Sequence, residues 1–161
     1  MIMTTTAHEL MSHMPPKHVL CGIDLGTKTI GLSVSDTEFS IASPYHTIKR
    51  QKFNDDAQAL ANIVLESKIA GFVIGLPLNM DGSEGPRVQA TRAFIRNLDK
   101  TPIMPNLPVI FWDERLSTVA VTRTLIDADT RRSRRAEVVD KMAAAFILQG
   151  FLDYLAHHPA P

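Results

Sequence analysis

The chain has 161 residues, 45% of them hydrophobic, and its 17 lysine and arginine residues balance its 17 aspartate and glutamate residues. This balance gives no support for nucleic-acid binding through a general basic excess, so any such binding must come from local charge. The single cysteine, Cys21, excludes an intrachain disulfide and a thiolate cage for a metal. No stretch reaches the roughly 18 apolar residues of a membrane span, and residues 1–17 lack the apolar core of a signal peptide. We therefore expect a protein of the reducing cytoplasm that does not enter a membrane.

The length fits one domain, large enough to bury a single core. Residues 1–17 contain a Pro-Pro pair near their end and are predicted to be a flexible leader. Residues 157–161, with the sequence HHPAP, are predicted to be a flexible tail. The remaining residues, 18–156, are predicted to form one domain.

The first half of this domain predicts strands followed by a helix. Two short runs rich in branched apolar residues, 19–25 and 30–35, are joined by a glycine-containing turn and predict an antiparallel hairpin. A weaker third strand is predicted at 45–49. Residues 54–68 carry apolar side chains at helical spacing and acids in the first turn, which predicts a helix.

The second half alternates strands and helices. Residues 71–77 form a continuous apolar run typical of a buried strand, and an amphipathic helix is predicted from about Pro86. A further strand is predicted at 107–115, followed by helices at 117–128 and 134–155. Three antiparallel leading strands and two further parallel strands would make a mixed five-stranded α/β sheet flanked by helices.

Acidic residues interrupt the apolar pattern. They are Asp24 in the first strand, Asp113 and Glu114 at the end of the last strand, and Asp140 in the final helix. A buried carboxylate such as Asp24 is costly unless something compensates its charge. In an open α/β sheet the functional crevice lies at strand ends, and a helix packed across the sheet can bring its own carboxylate there. Mg²⁺ or Mn²⁺ would stabilise such a cluster, and two ions about 4 Å apart can activate water for phosphodiester cleavage.

Each acid also has a simpler interpretation. Asp24 precedes a Leu-Gly pair and could accept hydrogen bonds from turn amides. The acids at the strand end and in the final helix could each be solvated surface residues. Only their joint placement favours a shared site.

A local basic excess lies between residues 115 and 135, where six arginines outnumber two aspartates. The run RRSRR at 131–135 immediately precedes the part of the final helix that carries Asp140, so a phosphate backbone held there would reach the carboxylates. A solvated loop without a ligand is the alternative. The candidate nucleic-acid-binding residues are Lys28, Arg87, Arg115, Arg131, Arg132, Arg134 and Arg135.

Four motifs across residues 19–155 together resemble the YqgF/RuvX family of RNase H-like proteins: GIDLGTKTIGLSVSD, GFVIGLPLNMDGSEGPR, FWDERLST and VVDKMAAAFILQGFLDYL. The resemblance implies an RNase H-like fold, a metal-dependent nuclease site and a role in maturing the 5′ end of pre-16S ribosomal RNA. The implied catalytic acids are Asp24, Asp113, Glu114 and Asp140, and the implied ligands of Mg²⁺ or Mn²⁺ are Asp24, Glu114 and Asp140. Alternation along a strand would direct only one of Asp113 and Glu114 into the site.

The leading prediction is a hydrolase, a nuclease that acts on structured RNA. Ribosomal particles are predicted as further partners, and the protein is expected to be a monomer or a homodimer. The family has also been described as Holliday junction resolvases, so cleavage of branched DNA is an alternative that a dimer would favour. A non-catalytic RNA-binding ribosome-assembly factor with the same fold is another. The segment DLGTKT also resembles the phosphate-binding hairpin of actin-like and sugar kinases, but 161 residues leave no room for their second lobe.

Overall fold

The structure is a computed structural model that describes residues 1–116 and 135–160, with side chains described from residue 141 onward in the second range. Its elements in chain order are β1 (Ile2–Thr4), α1 (Ala7–Met11), β2 (Val19–Leu25), β3 (Thr29–Ser35), β4 (Ala42–Lys49), α2 (Phe53–Glu66), β5 (Ile69–Leu76), α3 (Pro86–Lys100), β6 (Pro108–Asp113), a 3₁₀ helix (Glu114–Leu116) and α4 (Arg135–His157). None of the helices in these two ranges is long and apolar enough to cross a membrane.

The described strands form one six-stranded sheet in the order β1-β6-β5-β2-β3-β4. β2, β3 and β4 pair antiparallel, whereas β5 is parallel to β2 and β6 is parallel to β5. The predicted mixed α/β sheet with three antiparallel leading strands is therefore confirmed. The predicted number of five strands is wrong by one, because β1 adds a short parallel strand beside β6.

Residues 1–17 carry β1 and α1 and so differ from the flexible leader that we predicted. Leu10 of α1 is fully buried among residues of α4 and β6. A helix start is encoded here: the Thr6 hydroxyl accepts a hydrogen bond from the Glu9 backbone N–H at 3.1 Å, and Glu9 Oε2 accepts one from the Thr5 N–H at 3.0 Å. A three-residue strand is too short to show a period, so β1 escapes a search for alternating apolar residues.

Strand alternation divides the core into two layers. On one face of the sheet, α2 and α3 pack over side chains that include Cys21 and Ile23. On the other face, α1 and α4 pack over side chains that include Leu20, Val73 and Ile110. The even-numbered positions of β2 and β6 and the odd-numbered positions of β5 from Gly71 onward therefore face α4.

Close contact between α4 and the middle of the sheet depends on a glycine. Ser33 Oγ donates a hydrogen bond to the Ala144 carbonyl oxygen at 2.7 Å. A Cβ atom at Gly22 would lie 2.7 Å from that oxygen and 2.8 Å from Leu148 Cβ. No other residue type fits at position 22 without moving α4, and this contact fixes the helix against the strand that carries Asp24.

The other predicted elements agree with those observed to within a few residues. The helix predicted at 54–68 corresponds to α2, and the strand predicted at 71–77 corresponds to β5. A helix does begin at Pro86, and the strand predicted at 107–115 corresponds to β6. The helix predicted at 117–128 lies outside the described residues.

Candidate active site

Asp24 is a buried acid near the C-terminal end of β2, with 2% of its surface exposed. It follows Gly22 by two residues, so strand alternation places it on the face of the sheet that α4 covers. Its neighbour Ile23 lies on the opposite face, in the core under α2 and α3. The carboxylate is thus held among apolar elements, as the sequence predicted, at the end of the sheet where a crevice is expected.

Glu114 reaches the same face from the end of β6. Ile110 and Trp112 of β6 belong to the core layer under α4, and Glu114 continues this alternation two residues after Trp112. The Glu114 Oε1 atom is buried, and it lies 2.6 Å from the position that a Cβ of Gly75 would occupy. The missing side chain at Gly75 therefore leaves the space that the Glu114 carboxylate fills.

Asp24 and Gly75 are neighbours in the sheet. Ile23 of β2 pairs in parallel with Ile74 of β5, so the next residue of each strand, Asp24 and Gly75, stands side by side on strands about 4.8 Å apart. Because the Glu114 carboxylate lies over Gly75, it lies next to Asp24. The sheet thus brings together two acids that are far apart in sequence.

Asp140 lies near the start of α4, seven residues before Ile147. Ile147 packs on β5, where a Cβ at Gly75 would lie 2.4 Å from Ile147 Cδ1. Seven residues are about two helical turns, so the Asp140 backbone is on the side of α4 that faces the sheet. The Asp140 side chain lies outside the described part. Among the side chains that are described, no group of three or more His, Cys, Asp and Glu is placed to hold a metal ion.

Asp113 lies between Trp112 and Glu114 and alternates to the other side of β6. It forms an ion pair with Arg115, with 2.7 Å between Arg115 Nη2 and Asp113 Oδ2. Arg115 Nε donates to both carboxylate oxygens at 3.0 Å. These hydrogen bonds hold the pKa of Asp113 below its ordinary value and raise the pKa of Arg115. The two adjacent acids are thus separated: Glu114 joins Asp24, whereas Asp113 pairs with Arg115.

Arg115 also contacts the loop that follows β5. Its Nη1 atom donates a hydrogen bond to the Met80 carbonyl oxygen at 3.2 Å, while the Met80 side chain is exposed. Gly82 in this loop has a φ angle of +86°, a conformation that glycine adopts without steric cost. The guanidinium that we expected to bind nucleic acid is therefore engaged within the chain.

The turn between β2 and β3 carries an exposed Lys28 close in sequence to Asp24. The Lys28 carbonyl oxygen accepts a hydrogen bond from the Arg50 backbone N–H at 2.9 Å, and Arg50 Nη1 donates to the Gly26 carbonyl oxygen at 2.8 Å. Arg50 Nε also lies 3.8 Å from the Asp56 carboxylate. Arg50 fixes this turn, and sequence reasoning missed it because no motif or periodicity marks the residue.

The other predicted basic residues do not form one described patch. Arg87 is exposed in the first turn of α3. Arg135 begins α4, but its side chain lies outside the described part, as do Arg131, Arg132 and Arg134. Binding of a phosphate backbone by this arginine-rich run stays a prediction.

Asp24 and Glu114 are the described acids of this site that could hold a metal. Carboxylate oxygens are the ligands that Mg²⁺ and Mn²⁺ prefer. Two carboxylates side by side at a buried strand end repel each other, and a divalent cation between them would remove that cost. The donor set therefore fits a hard divalent cation.

Comparison with known proteins identifies the family. A family model described as "RuvX: Holliday junction resolvase" matches residues 18–154. The chain belongs to the RuvX family. Its relatives include two proteins named "Putative pre-16S rRNA nuclease". The one from Roseobacter denitrificans is 58% identical over 153 residues, which cover 95% of this chain and 93% of the relative. The one from Rhodobacter capsulatus is 61% identical over 145 residues, which cover 89% of each.

The fold of this RuvX family member also has a solved counterpart. A structure of T. thermophilus RuvC in complex with Holliday junction substrate superposes with a TM-score of 0.50 and 12% sequence identity, covering 86% of this chain and 96% of that chain. This similarity confirms the RNase H-like fold. The family and its named relatives identify the chain as a nuclease, a hydrolase of phosphodiester bonds.

Proposed function

We propose that this protein is a divalent-metal-dependent nuclease that matures the 5′ end of pre-16S ribosomal RNA in the cytoplasm. The observation that carries the proposal is the meeting of Asp24 and Glu114 at one end of the sheet, under α4. The names of the relatives from Roseobacter denitrificans and Rhodobacter capsulatus support RNA as the substrate.

In this proposal Asp24, Glu114 and Asp140 hold one or two Mg²⁺ or Mn²⁺ ions. When bound, such ions supply an acidified water and neutralise charge that develops on the phosphate. The chain itself provides the fixed positions. The backbone of Asp24 is fixed in a central strand, and the Glu114 carboxylate occupies the space above Gly75. Preorganised carboxylates of this kind need no rearrangement when substrate arrives.

Exposed cations near this end of the sheet would bind the substrate backbone. Lys28 lies in the turn directly after β2, and Arg87 lies just beyond the loop that follows β5. Contacts to phosphates fix the register of a nucleic acid without reading its sequence. The arginine-rich run at 131–135 would extend this binding surface. Selection of one RNA would then come from the shape of the folded precursor, presented by itself or within a ribosomal particle.

A second candidate substrate is branched DNA, which the description of the matching family favours. Cutting two strands of a four-way junction symmetrically needs two sites. This candidate therefore requires a homodimer, whereas cleavage of an RNA end requires one copy.

The test compares two labelled substrates with Mg²⁺ or Mn²⁺: a 16S precursor with its 5′ extension and a four-way DNA junction. Asp24→Asn and Glu114→Gln remove one negative charge each and keep the side-chain shape. Their matched controls are Asp55→Asn and Glu66→Gln, two exposed acids of α2. Circular dichroism verifies that all four variants fold.

We expect metal-dependent cutting of the RNA precursor that both site variants abolish and both controls retain. Cutting of the junction alone would replace RNA by branched DNA as the substrate. RNA binding without cleavage, unchanged in the site variants, would overturn the catalytic proposal in favour of an assembly factor.

A further inference from the structure

Asp113 and Arg115 flank Glu114 in sequence and form an ion pair with each other. Besides the guanidinium contacts, the Arg115 backbone N–H donates to Asp113 Oδ1 at 2.9 Å. Both oxygens of the Asp113 carboxylate are therefore engaged by a residue two positions away. This bidentate geometry is among the stronger polar contacts in proteins. It closes a tight turn, and Glu114 is the central residue of that turn.

The same guanidinium reaches a second segment, the loop 77–85. Arg115 Nη1 bonds the Met80 carbonyl oxygen, and the position of a Cβ at Gly82 lies 3.4 Å from Nη1 and 3.7 Å from Nη2. The guanidinium thus rests against the backbone of Gly82. A Cβ at that position would be in ordinary van der Waals contact with the guanidinium but would require a strained positive φ angle.

This loop has a defined internal structure. The Asn79 backbone N–H donates to the Ser83 carbonyl oxygen at 3.0 Å, and the Gly82 N–H donates to the Asn79 carbonyl oxygen at 2.8 Å. The Ser83 hydroxyl and N–H both donate to Asp81 Oδ1, at 2.6 and 2.9 Å. The loop leaves β5 two residues after Gly75, on which the Glu114 carboxylate lies. Arg115 therefore joins the segment that carries Glu114 to the loop that directly follows the Gly75 strand.

We propose that Arg115 is a positioning residue that clamps Asp113 to the loop 77–85 and so holds Glu114 in place beside Asp24. This inference rests on the proposed function for its kinetic consequences. It assigns Asp113 to the clamp rather than to the metal, and it assigns Arg115 to the protein rather than to a substrate phosphate. Moving the guanidinium to a phosphate would break its bidentate contact with the Asp113 carboxylate and its hydrogen bond to the Met80 carbonyl oxygen.

The kinetic test is a double-mutant cycle with Asp113→Ala, Arg115→Ala and the pair together. A clamp predicts that each single variant lowers kcat by about 10- to 100-fold, the cost of a misplaced catalytic group, and that the double variant is no worse than either. KM and the salt dependence of RNA binding stay unchanged. Arg115→Lys should not restore kcat, because an ammonium group cannot bind the Asp113 carboxylate in the same bidentate way.

Two variants serve as references for the kinetic test. Arg87→Ala removes an exposed cation proposed to bind phosphate, so it should raise KM. It should also reduce by about one the slope of the logarithm of the RNA-binding constant against the logarithm of the salt concentration. Arg96→Ala removes an exposed arginine elsewhere on α3 and should change neither. The clamp is overturned if Arg115→Ala behaves like Arg87→Ala. It is also overturned if Asp113→Ala weakens the response to metal while Arg115→Ala does not.

Amide hydrogen exchange tests the clamp without a measurement of nuclease activity. The N–H groups of Asn79 and Gly82 are hydrogen-bonded within the loop, so loss of the clamp should speed their exchange in Arg115→Ala and Asp113→Ala but not in Arg96→Ala. Unchanged exchange in all three variants would overturn the clamp. Absence of cleavage by the unsubstituted protein would instead contradict the proposed function, so the two failures are distinguishable.

Discussion

Asp24 and Glu114 reach the same end of the sheet by different structural routes. Asp24 lies within β2, whose neighbours on both sides fix its backbone by ladder hydrogen bonds. Glu114 lies just past β6, in a 3₁₀ helix whose backbone the sheet does not hold. Its position depends on the space above Gly75 and on the contacts of Asp113 and Arg115. A strand-borne acid is positioned by the fold itself, whereas a turn-borne acid needs local contacts of its own.

Changing the side-chain length of Asp24 and of Glu114 tests this difference. These substitutions should have the largest effects on stability and kcat. Asp24→Glu adds a methylene group at a site that is 2% exposed, so we expect a loss of about 1–3 kcal/mol in the free energy of unfolding and a fall in kcat of about 100-fold. Glu114→Asp should lower kcat similarly without loss of stability. Denaturant unfolding and steady-state kinetics measure both. A destabilised Glu114→Asp with an unaffected Asp24→Glu would reverse the comparison.

Gly75→Ala tests whether the space above β5 positions Glu114. The new Cβ would lie 2.6 Å from Glu114 Oε1 and 2.4 Å from Ile147 Cδ1, so the Glu114 and Ile147 side chains must both shift. We expect a loss of about 1–3 kcal/mol in stability and a fall of about 10- to 100-fold in kcat.

The matched control is Gly71→Ala on the same strand and face, where a Cβ would lie 2.9 Å from Leu20 Cδ2, away from the acids. It should cost stability but leave kcat unchanged once corrected for the folded fraction. Equal kcat values for the Gly71 and Gly75 variants would show that the space above Gly75 does not position Glu114.

Gly82→Ala perturbs the turn-borne acid from a greater distance and should give a smaller effect. The φ angle of +86° makes the alanine strained by about 1–2 kcal/mol, and relaxation of the loop should move Arg115. We expect a fall in kcat of up to about 10-fold, as positioning effects weaken with distance. Gly85→Ala is the control, because its φ angle of −89° suits any residue and its nearest contact is Asn79 at 3.7 Å. A full loss of activity in the control would contradict this account.

The reactivity of Cys21 tests the burial of β2, the strand that carries Asp24, and gives the smallest effect. Cys21 lies three residues before Asp24 and faces the opposite core layer, and burial raises the pKa of its thiol to about 12. The thiol should therefore stay protonated and unreactive toward a thiol reagent at pH 8 until the protein is unfolded. Rapid modification of the native protein would show that the core layer under α2 and α3 does not close over β2.

The strand-borne part of the site could be predicted from sequence because its signals are local. The branched apolar runs and glycine-containing turn of the β2–β3 hairpin identify two strands, and an acid inside such a run stands out. The short strand β1 was missed because three residues show no period. The start of α1 was missed although Thr6 and Glu9 stand at the spacing of a capping box.

The turn-borne part could not be fully predicted because its contacts join residues far apart in the chain. Alternation indicates that only one of Asp113 and Glu114 enters the site, but the choice needs the orientation of β6 relative to α4. The role of Arg115 depends on the Met80 carbonyl oxygen, which lies 35 residues away in sequence. An arginine next to an acidic site therefore suggested a phosphate ligand, while the structure shows an internal contact.

The most direct test of the central claim is Mn²⁺ binding, measured by electron paramagnetic resonance on the unsubstituted protein and on Asp24→Asn, Glu114→Gln and Asp113→Asn. Our account predicts that the Asp24 and Glu114 variants lose Mn²⁺ binding, whereas the Asp113 variant loses far less affinity. Loss of binding in Asp113→Asn with retention in Glu114→Gln would contradict the assignment of Glu114, rather than Asp113, to the site beside Asp24.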